Sequence, residues 1–188
     1  MRTNDNGGSA AAAASGNVRQ LRHIRCLRIL AIFLTLIAAA SMAFSKETKQ
    51  SYSYNSLTGR STYFSISVKA TDNSAFVYFI VGNVLVFVWS VVLTVLSCIK
   101  NYGSRLLLPV AIIDLVMLII LATTNTAATV IEKVAWQGNS HYGWGKFCNY
   151  TKNFCGIVVA TNVISWLATM IYFAIVVLYI VIIHRRTK

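Results

Sequence analysis

The chain has 188 residues, 56% of them hydrophobic and only 12% charged, with a mean hydropathy of +0.62. Soluble domains are about 25% charged, so this composition excludes an ordinary soluble globule and points to lipid. The net charge of +12 is scattered along the chain rather than gathered on one surface, which argues against a nucleic-acid groove.

Residues 1–18 are small, polar and of low complexity, and read as an unstructured tail. Arg19, Arg22, Arg25 and Arg28 follow at three-residue intervals. Voltage-sensing helices carry such a pattern at membrane depth. Here, however, three of the four arginines precede the apolar run. Steps of three also rotate about 300° around a helix, which scatters the charges. Arg19, Arg22 and Arg25 therefore read as an anchor on anionic lipid, at ~1 kcal/mol per charge.

Four spans follow, at about 27–44, 75–99, 106–130 and 156–183. A bilayer core needs roughly 20 residues of helix. The first span opens late and lacks a convincing cleavage site, so it reads as a retained helix rather than a signal peptide. Backbone groups in lipid must be satisfied within the chain, so the expected fold is an all-α four-helix transmembrane bundle. The loops between spans are 45–74, 100–105 and 131–155, and residues 184–188 close the chain as a basic tail. In the first long loop, Phe64, Ile66 and Val68 alternate with Ser65, Ser67 and Lys69. That period of two predicts a short β-hairpin.

Orientation follows from charge. One side of the bundle holds ten basic residues and one acid, and the other holds seven basic residues and three acids. The positive-inside rule puts both termini and the 100–105 loop in the cytosol.

Within the spans, Asp114 is the single acid and Arg28 lies at the edge of the first helix. A carboxylate at membrane depth costs at least ~2.5 kcal/mol. An ion pair between Arg28 and Asp114, fixing helix register, is the economical solution; a proton relay or ion site would need further acids. Cys148 and Cys155 lie on the outer, oxidising side, where a disulfide is expected. Free thiols or a metal site are the alternatives, although His141 is the only outer histidine. Asn149 begins an N-glycosylation sequon, "NYT". Asn83, Asn125 and Asn162 suit interhelical hydrogen bonds. The small pairs Ala39/Ala43, Ala122/Thr126 and Gly156/Ala160 would let helices approach closely. Trp136, Trp144 and Tyr142 fit an interfacial belt. No catalytic constellation or cofactor motif is present, so neither an enzyme nor a bound cofactor is expected.

Three stretches together, "CLRILAIFLTLIAAASMAFSKETKQ", the aspartate in "PVAIIDLVMLIILATTNTAAT", and "GNSHYGWGKFCNYTKNFC", resemble the Casparian strip membrane protein-like family of plants over roughly residues 20–183. The resemblance implies a four-span plasma-membrane protein, related to MARVEL-type proteins, with both termini cytosolic. The family's arginine, aspartate and outer cysteine pair fall on Arg28, Asp114, Cys148 and Cys155. It also implies homo- and heteromeric assembly with related four-span proteins, and partners among cell-wall-modifying proteins. The best-known branch scaffolds lignin deposition at a wall barrier. Its proline- and phenylalanine-rich first loop is missing from "STYFSISVKATDNSAF", which places this chain outside that branch. The expected function is a non-enzymatic scaffold or membrane-domain organiser; the alternative is a channel or transporter component.

Overall fold

In the computed structural model, residues 6–55, 60–99, 107–143 and 145–187 are described. Their elements are α1 (Asn6–Ala43), β1 (Lys46–Asn55), β2 (Arg60–Lys69), α2 (Ser74–Ile99), α3 (Leu107–Gln137) and α4 (Lys152–Thr187). Each helix contains a stretch long and apolar enough to cross a bilayer: Arg22–Ala43, Ser74–Ser97, Leu107–Gln137 and Lys152–Arg185. The fold is a four-helix membrane bundle carrying one hairpin.

The helix limits depart from the sequence expectation in a consistent direction. α1 starts at Asn6, so most of the expected unstructured tail is helical. Alanine is the best helix former, and growth from an existing membrane helix avoids the nucleation cost. α3 continues past residue 130 until Gly138, whose positive φ of 70° ends it. The Gly138 amide donates back to the Val134 carbonyl at 2.8 Å, a left-handed glycine cap. Glu132 and Trp136 are therefore helical rather than loop residues, and Asp114 is not the only acid on a spanning helix. α4 starts at Lys152 and runs to Thr187, taking in Cys155 and most of the expected basic tail. The 100–105 loop lies outside the described residues.

The hairpin is longer than expected. Ten residues of each strand pair antiparallel, from Lys46 opposite Lys69 to Asn55 opposite Arg60. The polar "KETKQ" shows no period of two, but a backbone ladder extends wherever the partner strand offers free N–H and C=O groups. A lone hairpin is marginal in water; here its base is fastened. The Ala70 amide donates to the Ser45 carbonyl at 3.1 Å, and the Asn73 side chain caps α2 by accepting from the Ala75 amide at 2.9 Å.

α1 packs beside α2 and α4, and α3 packs beside the same two helices. Around the bundle the order is thus α1, α2, α3, α4, with α1 facing α3 and α2 facing α4 across the diagonals. Buried positions recur at alternating steps of three and four, as in Ile24, Arg28, Ala31, Thr35, Ala38 and Met42 on α1. That is the seam pattern of nearly parallel packed helices. The outward positions are apolar as well, with Phe33, Ile119 and Phe173 more than half exposed. Side chains of this kind face lipid rather than water.

Candidate functional site

The interior is stitched by polar side chains, and the tightest group takes one residue from each helix. Arg28 (α1) donates from Nη2 to Asp114 Oδ2 at 2.5 Å and from Nη1 to Asp114 Oδ1 at 3.1 Å. This two-pronged geometry is the strong form of an arginine–carboxylate pair. Trp89 (α2) donates its indole N–H to Asp114 Oδ1 at 3.0 Å. Arg28 Nη2 also lies 3.4 Å from the Tyr179 hydroxyl on α4. Asp114 is 0% exposed and Arg28 only 3%, so the charges meet in a dry interior. The pair spans the α1–α3 diagonal.

Further along the bundle, the other diagonal is tied. Ser90 on α2 bonds to the Tyr172 hydroxyl on α4. The Ser165 hydroxyl on α4 lies 2.9 Å from Asn83 Oδ1 on α2 and 2.7 Å from Asn125 Oδ1 on α3. Asn125 in turn donates to Thr169 Oγ1 at 2.9 Å. Beyond it, Asn162 donates to Thr129 Oγ1 at 2.8 Å and to Glu132 Oε2 at 3.1 Å. Ser165, Tyr172 and Tyr179 are spaced by seven, which returns to one helix face after two turns. Successive ties thus stand about 10 Å apart along α4.

Sequence reasoning singled out the three asparagines, and the structure places each in a bond to another helix. It missed Trp89, Tyr179, Tyr172 and Ser165. Their signal was available: polar side chains at depths where only lipid or partners can meet them. It also missed Gly82. A Cβ at Gly82 would lie 3.0 Å from Thr124 Oγ1 and closer still to that residue's methyl group. α2 and α3 therefore touch through a side chain seated on bare backbone.

At the hairpin end, Cys148 and Cys155 form a disulfide, with Cα atoms 5.8 Å apart. It joins a single 3-10 turn, Phe147–Asn149, to the first turn of α4. Closing so short a loop contributes roughly 2–3 kcal/mol on the chain-entropy account. Asn149 is exposed beside it. Among the described residues no cluster of His, Cys, Asp and Glu could hold a metal ion.

Glu47 on β1 reaches across to α4, where its Oε2 accepts from the Phe154 amide at 2.8 Å; its Oε1 lies 3.2 Å from Lys49. The Phe154 amide, and after it Lys49, hold the Glu47 carboxyl below the ordinary carboxylate range. A depressed folded value means the tether is complete above the unfolded value and is lost as pH falls through the folded one. Acidification through that depressed value, below the ordinary glutamate range, is therefore expected to release the hairpin from α4. Hydrogen exchange at the Phe154 amide should rise there, and Glu47→Gln should flatten that pH dependence. An unchanged profile in the variant would assign the release to another group.

The remaining candidates divide by exposure. Arg22 and Arg25 are exposed; the Arg19 side chain lies outside the described residues, as do those of Tyr142 and Trp144. Trp136 is 47% exposed. Of the small pairs, Ala39 is buried inside the bundle and Ala122 half-buried, whereas Ala43, Thr126, Gly156 and Ala160 face outward. Ala39 therefore packs the monomer and is not available to a neighbour.

Residues 21–171 match the Casparian strip membrane protein domain. The chain is 40% identical over 153 residues to CASP-like protein 1E1 of Musa acuminata, covering 80% of this chain and 76% of the relative. It is 34% identical over 165 residues to CASP-like protein 1E1 of Vitis vinifera, covering 86% and 81%. With CASP-like protein 1D2 of Arabidopsis lyrata it shares 29% identity over 149 residues, covering 77% and 72%. No solved structure matches it.

Proposed function

The chain belongs to the Casparian strip membrane protein-like family of plant multi-pass membrane proteins, and from that premise we propose that it is a non-enzymatic organiser of the plasma membrane. It assembles laterally with copies of itself and with related four-span proteins, and gathers cell-wall-modifying partners. The observation that carries this reading is the division of labour between interior and surface. Among the described residues, most interior polar side chains are engaged by neighbouring helices or by their own backbone, so the bundle holds together without polar groups from a neighbour. The lipid-facing surface meanwhile offers small residues: Gly156 and Ala160, one turn apart, are exposed, and beyond the local backbone and its chain neighbours nothing lies within 4 Å of a Cβ at Gly156. Small residues spaced by four let a second helix approach backbone to backbone.

Differently tagged copies should co-precipitate from cells, and Gly156→Leu with Ala160→Leu should weaken that association severalfold. Purified protein in liposomes should give no ion flux above empty vesicles. The stack of polar groups favours a second reading, a channel component. Flux abolished by Asp114→Asn, with self-association absent, would establish that reading instead.

The orientation in this proposal puts both termini in the cytosol and the hairpin outside, on the strength of the basic excess. A tag inserted between residues 55 and 60 should react with impermeant label on sealed cells, and tags at either terminus should not. The reverse pattern would invert the assignment.

A further inference from the structure

A cavity of about 500 Å³ opens at the hairpin end of the bundle, within the roughly 300–1,000 Å³ typical of small-molecule sites. Aromatic rings from separate parts of the chain line it: Phe76 on α2, Trp136 on α3, Phe147 beside the disulfide and Phe154 on α4. Three charged residues, Lys69, Asp72 and Glu132, complete the wall. Two acids against one base favour a cationic or hydrogen-bond-donating head over an anion. Glu132 is the distinctive member. Its Oε2 accepts from Asn162, but its Oε1 is shut off from water without a hydrogen-bond partner. Among the described residues it forms no ion pair. A buried acceptor left unsatisfied is costly, and a small rotation of this half-buried side chain would offer it to an occupant of the cavity it lines.

We propose that this cavity binds a small amphiphile. An apolar, ring-containing body lies against the aromatic walls, and a donating head, hydroxyl or amine, bonds to Glu132. A 3-hydroxysterol drawn from the adjoining lipid leaflet and a soluble phenylalkylamine both present a ring-containing body with a donating head, and they come from different sources. Neither the lateral assembly nor the orientation proposed above is needed for it.

The test uses the full chain in phosphatidylcholine nanodiscs with two photoactivatable probes, a 3-hydroxysterol in the disc and a phenylalkylamine in the buffer. Each is run beside its analogue without the head group. At least one headed probe should label residues 131–136 and 147–158 saturably, and the probe that does so identifies the source. Gly145→Phe enters space where a Cβ meets no atom within 4 Å, so the fold should survive it. Ala135→Phe fills the wall directly. Each should reduce labelling about tenfold, with retention of the Cys148–Cys155 disulfide checking the fold. Glu132→Leu should weaken the headed probe about tenfold and leave its headless analogue unaffected. Labelling that does not saturate, that survives both filling variants, or that is as strong without the head group would overturn the proposal. So would cross-links from these peptides to a second copy of the chain, which would make the cavity a protein interface.

Discussion

Asp114→Asn is expected to destabilise the bundle by roughly 3–5 kcal/mol, the usual consequence of stripping one partner from a buried ion pair. Arg28 is left with its charge in a dry interior, its best acceptor replaced by an amide. Arg28→Gln alone should be comparably damaging, because Asp114 then keeps its charge with only the Trp89 indole as a described donor. The double variant replaces two charges with two amides that can bond to one another, so it should be less damaged than the sum of the singles. Melting in detergent and delivery to the cell surface would both read this non-additivity. Strict additivity would mean that the pair seen at 2.5 Å carries no coupling.

Gly82→Ala should be strongly destabilising, because here, unlike at Gly143, Gly145 and Gly156, an added Cβ meets a side chain of another element. The new Cβ overlaps the Thr124 methyl, and Thr124 cannot swing aside freely because its hydroxyl donates to the Leu121 carbonyl at 3.0 Å. Overpacking of this kind costs roughly 1–3 kcal/mol, and Gly82→Val should exceed that range. Thr124→Ser removes the offending methyl but keeps the hydroxyl bond, so Gly82→Ala with Thr124→Ser should recover most of the loss. An unchanged melting temperature for Gly82→Ala would show that α2 and α3 stand further apart than described.

Topology was legible because a bilayer imposes a length on every span, and no rival fold satisfies four such stretches. The helix ends were less legible. Hydropathy reports where lipid stops, whereas a helix stops where the backbone is told to, as Gly138 shows eight residues beyond the expected end of α3. The inward faces were the hardest to read. In a soluble helix apolar residues mark the core, but here both faces are apolar, and it is the polar residues that point inward. Arg28, Asn83, Asp114, Asn125, Asn162 and Ser165 are all buried. Read together at intervals of three, four and seven, they would have revealed the seams; read singly, they gave only the Arg28–Asp114 pair and three unassigned amides. The Glu132 environment was hidden for a different reason. The residue was counted in a loop, and only the continuation of α3 turns it towards Asn162.

Four rods joined only along their sides make a frame that can lean into a rhombus without stretching any joint. Greasy side-to-side packing between neighbouring helices leaves that freedom, since apolar contacts have no preferred direction. The Arg28–Asp114 pair is a strut along one diagonal, and Ser90–Tyr172 with Ser165–Asn83 are struts along the other, set at different heights. With both diagonals fixed, the cross-section cannot skew. The four outer walls then keep constant angles to one another, so sideways tension is carried through the bundle as through a stiff tile.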